Sequence, residues 1–284
     1  MEVNSRTIQF LLEGHGKFIT QAECARRYFA NHNKIKDDTG VLQRQAEAEK
    51  EIGNPLRMAD NRISHNWHNL LVTQKVSYAL SYPPLFDLGD KTANAGVAAL
   101  LGDQYTATAM QLGIDASNTS VGWLHYWRGA DGRFRYHTVD PVQIVPVYSG
   151  TLDSELVGVL RCYTTLEPKQ GQNVQVCEFW DDTRVRFYRQ NAYGNYAYFN
   201  YPEVGQELVH GLGAVPFIPF YNNAQHTDDL PLYKDLIDAY DKVVSGFAND
   251  MEDVQEVIFV IKNYGGEDKT EFLSDLKQSK VIKV

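Results

Sequence analysis

The chain has 284 residues, of which 43% are hydrophobic and 22% are charged, and its formal net charge is −9. These values fit a soluble folded protein of one large or two small domains and argue against a simple nucleic-acid binder, which carries a basic patch. No apolar run approaches the roughly 18 residues of a membrane-spanning helix, so no membrane association is predicted.

Three cysteines are too few for a disulfide framework and are expected to be reduced thiols: Cys24, Cys162 and Cys177. Cys162 and Cys177 fall in neighbouring predicted strands and could approach each other. Their preferred interpretation is as small buried hydrophobic residues.

Residues 1–60 are predicted to form an N-terminal arm and a helix. Met1–Phe18 contains a Gly-His-Gly interruption and is interpreted as an arm and loop. Thr20 then caps a helix that runs to about Asn33, with Glu23 in the capping-box position. The polar residues 34–60 are expected to form an exposed loop or a short solvated helix.

Two further helices are predicted in the next part of the chain. The first covers Asn61–Tyr82, and Pro83-Pro84 ends it. Its buried stripe is predicted to consist of Ile63, Trp67, Leu70, Leu71 and the residues from Gln74 to Tyr78. If Trp67 is buried, alanine in its place should cost about 3–5 kcal/mol of stability. The second helix is predicted over Gly96–Leu112, with five apolar residues facing inward: Val97, Leu100, Leu101, Tyr105 and Met110.

From Val121 the hydrophobic period changes to two, which predicts an antiparallel β-rich block. VGWLHYWRG and RFRYHTVD flank Ala130-Asp131-Gly132, a hairpin signal. The other predicted strands are Gln143–Tyr148, Leu156–Thr164, Val174–Asp181, Arg184–Gln190 and Tyr196–Asn200. A segment with Gly211, Gly213, Pro216 and Pro219 is expected to be extended. Residues 61–228 together form a predicted α+β domain.

Residues 229–264 are predicted to form one long helix. Apolar residues recur there in steps of three and four, at Leu236, Tyr240, Val243, Phe247, Met251, Val254 and Ile258. Asp228 and Asp229 are placed at its N-cap, and Gly265-Gly266 ends it. About 33 residues would make a rod of about 50 Å. In residues 265–284, Asp268 and Glu271 suggest a short capped helix, and the final VIKV suggests a strand that is beginning.

The opposite face of the long helix is expected to be acidic and solvated. It carries Asp238, Asp241, Ser245, Asn249, Glu252 and Glu256. The helix either lies with its apolar face on a core, or packs against copies of itself and shows the acidic face to a lumen. Because exposed charges contribute little to stability, replacing Asp238, Asp241, Glu252 and Glu256 with lysine is expected to leave the chain folded.

The sequence predicts no enzyme, no cofactor and no metal site. His65 and His68 are spaced i, i+3, but no third ligand accompanies them, so helix packing is the preferred interpretation. Asp181-Asp182 would point to opposite faces of a strand and fit a β-turn better than a catalytic pair. Gly211-Leu-Gly213 is only a fragment of a phosphate-binding loop, because no GxxxxGK[ST] motif follows.

Three longer strings carry a family resemblance. LIDAYDKVVSGFANDMEDVQEVIFVIKNYGGED resembles the stem segment of tailed-bacteriophage portal proteins, in the branch found in siphophages of Gram-positive hosts. NRISHNWHNLLVTQKVSYALSYPP, residues 61–84, is similar to the early helix of that family. HGLGAVPFIPFYNN, residues 210–223, is similar to its linker into the stem. The resemblance covers roughly residues 54–284 and is weak or absent before that.

The resemblance implies the α+β portal-protein fold, C-terminally incomplete, with a wing up to about residue 228, a stem helix and the start of a clip. It implies a homo-oligomeric ring of twelve at one capsid vertex that forms the channel for double-stranded DNA packaging and ejection. The implied partners are the large terminase subunit, the major capsid and scaffolding proteins, and the head-completion (adaptor) proteins. The implied location is the virion, with assembly in the host cytoplasm. The acidic helix face then becomes a candidate DNA-tunnel or subunit-interface surface.

Two alternative functions stay open at this stage. A minor head or adaptor protein would share the β-rich block but lack the long helix. A metal-dependent phage nuclease built on His65 and His68 would need a third convergent ligand. Particle shape in negative-stain electron microscopy would distinguish these alternatives from a ring.

Overall fold

The computed structural model describes residues 3–37, 59–82, 84–167, 172–201, 204–254, 259–261 and 281–283. Over these residues the predicted α+β class is confirmed. The chain divides into two compact units. The first unit contains Met1–Arg26 and His68–Leu230, and the second contains Arg27–Trp67 and Pro231–Val284.

The helices follow the chain in the order α1 Ser5–Phe29, α2 Lys34–Asp37, α3 Trp67–Leu80, α4 Lys91–Leu101, α5 Tyr105–Thr119 and α6 Lys234–Val254. Two short 3-10 helices cover Pro141–Gln143 and Leu230–Leu232.

The strands are β1 Val121–Arg128, β2 Phe134–Val139, β3 Ile144–Tyr148, β4 Leu156–Glu167, β5 Gln172–Trp180, β6 Arg184–Gln190, β7 Tyr196–Tyr198, β8 Glu207–Val209, β9 Phe217–Tyr221, β10 Phe259–Ile261 and β11 Val281–Lys283. One sheet has the order β2-β1-β9, and a second has the order β3-β4-β5-β6-β7 with β8 also paired to β6. Strands β10 and β11 form a separate parallel pair.

The predicted N-terminal arm is wrong, because α1 runs without a break through both glycines of the Gly-His-Gly segment. Asn4 caps the helix, since its side-chain oxygen accepts the backbone N–H of Thr7 at 3.0 Å. Ile8 is fully buried, and the Tyr188 hydroxyl donates to the Val3 carbonyl at 3.1 Å. Burial of this apolar end outweighs the cost of about 1 kcal/mol that each helical glycine carries.

The larger part of the first unit's core lies over the second sheet. Its buried residues are Val3, Ile8, Val145, Leu160, Cys162, Cys177, Phe179, Tyr188 and Tyr196. A second cluster contains Val121, Trp123, Ile144, Val159 and Phe217. Strands β3 and β4 contribute to both clusters, which joins the two parts of this core.

The early helix begins at Trp67, six residues later than predicted, and its predicted buried stripe is wrong except at Val76. Trp67 is 40% exposed, and Ile63, Leu70 and Leu71 are similarly open. The buried residues are His68, Val72 and Val76. The reason is the position of α5, whose Gly113 allows a close approach to the Val76 side chain. Helical spacing alone does not distinguish these two neighbouring faces.

Replacing Val72 with alanine should lower the free energy of unfolding by about 2 kcal/mol, because the side chain is completely buried. Leu70→Ala is the matched change on the exposed face, and it should cost less than half as much although it removes more carbon. Urea unfolding of both variants measures the difference. An equal loss at the two positions would contradict this assignment of the faces. The loss expected earlier for a buried Trp67 does not apply.

The helix predicted over Gly96–Leu112 is two helices, α4 and α5, separated at Gly102. Gly102 has φ +66°, a conformation that residues with a side chain rarely adopt, and its N–H closes α4 on the Ala98 carbonyl. The inward orientation predicted for Leu100 is wrong, because its side chain is 53% exposed, whereas Val97 and Leu101 are half-buried.

The antiparallel block agrees with its prediction closely. The hairpin of β1 and β2 and strands β3 to β7 all lie within a few residues of the predicted bounds. The extended segment before the long helix contains a strand that was not predicted, β9, which pairs antiparallel with β1. Pro219 lies in this strand, which is possible because β9 is an edge strand of its sheet.

The prediction that Cys162 and Cys177 are reduced thiols is wrong, because the pairing of β4 with β5 brings them together. The two residues are directly opposite each other, with their Cα atoms 4.2 Å apart, and form a disulfide. Both are buried in the sheet core. Cys24 is a free thiol.

One histidine of the first unit is enclosed by aromatic rings. His125 stacks on Phe217 with ring centroids 4.4 Å apart and meets the edge of Trp180 at 4.8 Å. Its Nδ1 is 2.8 Å from the Pro216 carbonyl and donates to it. Burial lowers the pKa of His125 to about 4, although the bond to Pro216 acts in the opposite direction.

The long helix is shorter than predicted. It is observed from Lys234 to Val254, and Phe259–Ile261, predicted as helix, is a strand paired with Val281–Lys283. The strand predicted at the end of the chain is thereby confirmed. The short helix predicted after Asp268, and the glycine stop at Gly265-Gly266, lie outside the described residues.

Candidate functional site

Helix α6 presents two chemically different faces within the second unit. Pro231 lies in the 3-10 turn before it, and Asp235 lies in its first turn, where a negative charge favours the helix N-terminus. One face carries the predicted polar residues, and the other carries the predicted apolar stripe. The polar face, which was expected to be solvated, binds another segment of the same chain. The apolar face, which was expected to be covered, is exposed.

The polar face is paired with an extended segment, residues 59–66, of the same chain. Asp241 is fully buried and Ser245 is 4% exposed, so the expectation of a solvated face is wrong at these positions. Every second residue of the extended segment uses its backbone N–H to bind a side chain of α6. These donors are His65, Ile63 and Asn61, and their acceptors are Asp241, Ser245 and Asn249. This set of contacts is called the polar seam below.

Asp241 is the centre of the polar seam. Its Oδ1 accepts the His65 backbone N–H at 3.0 Å and the His65 Nδ1–H at 2.9 Å. Its Oδ2 accepts from the Asn33 amide at 2.6 Å. The same amide also donates to the His65 carbonyl at 3.0 Å. The buried carboxylate therefore connects α6 to two separate segments of the second unit.

The seam continues along the next turns of the helix. The Ser245 hydroxyl accepts the Ile63 N–H at 3.0 Å, and Asn249 accepts the Asn61 N–H at 2.6 Å. The Asn61 side-chain amide donates to Glu252 at 2.5 Å. An extended segment outside a sheet leaves its N–H groups without partners, and these side chains supply the acceptors.

A charged cluster lies at the other end of the seam. Asp238 accepts the Tyr28 hydroxyl at 2.5 Å and the Lys234 ammonium at 2.6 Å. Burial raises the pKa of Tyr28, and its bond to Asp238 acts in the same direction. The pKa of Lys234 is also raised, since its bonds to Asp238 and Tyr28 outweigh the opposing effect of burial.

The apolar face of α6 and of the 3-10 turn before it is open to solvent. We call the following six residues the apolar stripe, with their exposed fractions: Leu232 78%, Leu236 72%, Tyr240 44%, Val243 70%, Phe247 68% and Met251 50%. Of the two interpretations made from the sequence, packing of this face on a core of the same chain is wrong for these residues. A contiguous apolar surface of this kind is typical of a binding interface.

The comparisons with known proteins identify the family. A family model described as phage portal protein, SPP1 Gp6-like, matches residues 8–284. The chain belongs to this family of phage portal proteins. The family resemblance found in the sequence is therefore confirmed, and it extends to the N-terminal residues in which it was judged weak or absent.

Two relatives show how far this similarity extends. The portal protein of Clostridium phage phiCD119 is 40% identical over 273 residues, which cover 91% of this chain and 58% of that protein. The portal protein of Bacillus phage SPP1 is 32% identical over 233 residues, which cover 79% of this chain and 46% of that protein. The chain thus spans about half the length of these two portal proteins.

The predicted site residues of the portal chain are brought together on one helix face, except that Glu256 lies outside the described residues. Their assignment to a DNA tunnel or to a subunit interface stays a prediction. What the sequence did not predict is their partner, the segment from Asn61 to His65. A signal was present, because Ser245 and Asn249 are poor helix formers with short polar side chains, which suit specific hydrogen bonds better than a solvated face.

The other polar candidates have structural partners. His65 binds Asp241, whereas His68 is buried and its Nε2 is 2.9 Å from the Asn118 side-chain oxygen. Asp181 accepts the backbone N–H groups of Thr183 and Arg184 and pairs with Arg186 at 2.6 Å. Although burial raises its pKa, these bonds lower it to about 2. The predicted β-turn at this position is confirmed.

Within the described part of the chain, no group of three or more His, Cys, Asp or Glu side chains is arranged to hold a metal ion. None of the described helices combines the length and the apolar character needed to cross a membrane.

Proposed function

We propose that this chain acts as a subunit of a portal ring, a homo-oligomer of twelve at one vertex of the phage capsid. The ring would form the channel through which double-stranded DNA is packaged and later ejected. It would also bind the large terminase subunit, the capsid and scaffolding proteins and the head-completion proteins. The chain would act as a conduit and carry no catalytic activity.

The observation that supports assembly is the apolar stripe on α6. Five large apolar side chains lie along one exposed face of α6 and Leu232 lies in the turn before it, while the polar face of the same helix is used inside the subunit. Soluble monomers rarely expose a contiguous apolar surface of this size. Burial of such a surface between copies would be the main favourable contribution to ring formation.

The charge of the chain supports passage of DNA rather than tight binding. Twelve chains at −9 each would carry −108. Phosphate contacts from lysine and arginine would retard a sliding duplex, whereas a net negative wall repels it. This repulsion acts over roughly 8 Å at physiological salt.

The direct test is the particle that the purified 284-residue chain forms. We expect ring-shaped particles with a central hole in negative-stain electron microscopy, and a matching mass in native mass spectrometry. A chain that stays monomeric at micromolar concentration, or forms only compact particles without a hole, would contradict the proposal. Leu152→Glu, in an exposed turn outside the stripe, serves as the surface control and should leave the particles unchanged.

A further inference from the structure

The disulfide between Cys162 and Cys177 lies in the core over the second sheet of the first unit. The register places Cys177 opposite Cys162 on one side and opposite Tyr188 on the other. Cys177 has no exposed surface, and Cys162 retains 9%. The bond therefore belongs to the interior of the unit and not to the surface of the sheet.

One wall of this core is the N-terminal end of α1 with the residues just before it, residues 3–12, which we call the α1 cover. Val3 and Ile8 are buried in the same cluster as the two cysteines, and Leu11 and Leu12 pack against that cluster. Every other buried member of the cluster lies on a strand of the second sheet. The α1 cover can therefore leave the core without breaking the hydrogen bonds between the strands.

Three hydrogen bonds join the α1 cover to β6, to β7 and to the turn between them. In order, they run from the Tyr188 hydroxyl to the Val3 carbonyl at 3.1 Å, from the Tyr196 backbone N–H to the Ser5 hydroxyl at 2.9 Å, and from the Gln9 side-chain amide to the Gly194 carbonyl at 3.2 Å. Each such bond contributes about 1 kcal/mol net. A segment held by a few separable contacts opens locally at a lower free-energy cost than unfolding of the whole unit.

Reduction of a disulfide requires that a thiolate reaches one of its sulfur atoms. The attack forms a mixed disulfide and releases the other cysteine as a thiolate, and a second thiol then resolves the mixed disulfide. Two electrons pass from the reductant, which becomes a disulfide itself, and two protons end on the cysteines. Because a charge is costly to create among apolar side chains, a closed core opposes this reaction through both access and electrostatics.

We propose that the α1 cover controls the redox state of Cys162 and Cys177. While the cover is seated, it shields the disulfide from small thiols of the kind that keep cytosolic proteins reduced. Exchange takes place only when the cover lifts from the sheet. The cysteine pair is thus a redox-sensitive device whose state depends on opening of this core. The inference goes beyond the proposed function and does not depend on it, because it concerns a single subunit.

The rate at which dithiothreitol reduces the bond in the 284-residue chain tests this control. Samples are alkylated in denaturant at intervals, and mass spectrometry counts one thiol at the start, from Cys24, and three after full reduction. Ile8→Ala shortens a completely buried side chain of the cover and should speed up reduction by at least about 10-fold. Phe10→Ala changes the same helix at a position that is 74% exposed, and it should leave the rate unchanged.

Val72→Ala distinguishes lifting of the cover from unfolding of the whole unit. Val72 is as completely buried as Ile8, but it lies on α3 in the same unit, outside the cluster that contains the cysteines. Its replacement should therefore accelerate reduction much less than Ile8→Ala does. Equal acceleration by the two variants would show that only global unfolding exposes the bond, and the proposal would be wrong. It would also be wrong if the folded chain were reduced as fast as the chain in urea, or if the purified chain showed three thiols before any reductant was added.

Discussion

Replacing Asp241 with alanine is expected to lower the free energy of unfolding by about 3–5 kcal/mol, the largest loss that we predict for this chain. The carboxylate is fully buried and accepts three hydrogen bonds, two from His65 and one from Asn33. Alanine would remove the acceptor of all three donors, of which the Asn33 side chain is buried and the His65 side chain is 29% exposed. The cost is therefore the desolvation of several groups rather than the loss of a single bond.

Chemical unfolding of the second unit measures this loss, with Asp250→Ala as the matched control on the same helix. Asp250 is exposed, so its replacement should change stability by no more than about 0.5 kcal/mol. Asp241→Asn retains one acceptor oxygen and should fall between the two. If Asp241→Ala and Asp250→Ala unfold at the same urea concentration, the polar seam does not stabilise the unit in solution.

The same contacts change what is expected from lysine at the acidic positions. The sequence suggested that Asp238, Asp241, Glu252 and Glu256 could all become lysine in a folded chain. Lysine at position 241 would place a cation among buried donors, which is strongly unfavourable. Loss of DNA packaging in such a variant would report unfolding of the seam, so a test of tunnel charge should leave Asp241 unchanged.

Acid should destabilise the first unit through His125, by about 3 kcal/mol between pH 7 and pH 4. Its pKa is lowered from 6.5 to about 4, chiefly by burial among aromatic rings. The unfolded chain takes up a proton near pH 6.5, whereas the folded chain does so only near pH 4. The stabilisation is therefore complete above pH 6.5 and is lost as the pH falls toward 4.

A second group acts in the opposite direction over an overlapping range. Burial raises the pKa of Asp115 from 3.8 to about 6, although its bond from Gln111 lowers it. The folded chain then holds this proton more tightly than the unfolded chain. The contribution of Asp115 to stability thus falls as the pH rises from about 4 to 6. The pH dependence of the unmodified chain contains both effects together with those of other groups, among them His15 and His68, whose pKa values burial also lowers.

The contributions of His125 and Asp115 can be separated by subtracting the free energy of unfolding of the unmodified chain from that of each variant at every pH. We expect the stability of His125→Asn, relative to the unmodified chain, to improve by about 3 kcal/mol as the pH is lowered from 7 to 4. Asp115→Asn should show the reverse trend over the same interval. Urea unfolding at several pH values provides both curves. A flat difference curve for His125→Asn would show that the imidazole titrates near its ordinary pKa in the folded chain.

The sequence predicted the β-rich block well because its signals are local. The alternation of side chains and the turn residues around Asp131 define strands without knowledge of distant contacts. Strand β9 was missed because it contains Pro219, which is allowed only through its place at a sheet edge. That place is a property of the folded sheet and not of the segment.

The faces of the helices were predicted less well, for a different physical reason. Periodicity shows that two faces of a helix differ, but burial depends on which partner is near. On α6 the near partner is the extended segment around Ile63, whose N–H groups select the polar face. On α3 the near partner is α5, which selects Val72 and Val76 rather than Trp67. Neither partner can be identified from the helix sequence alone.

The polar seam has a consequence for mechanical behaviour. Hydrogen bonds are short and directional, so a slip of α6 by one turn, about 5.4 Å, would separate His65, Ile63 and Asn61 from their acceptors. The seam therefore locks the axial position of the helix within its own subunit. Contacts through the apolar stripe have no comparable directionality. A partner on that stripe would be able to tilt without breaking a specific bond, so the polar seam restrains α6 more strictly than the stripe would restrain a partner.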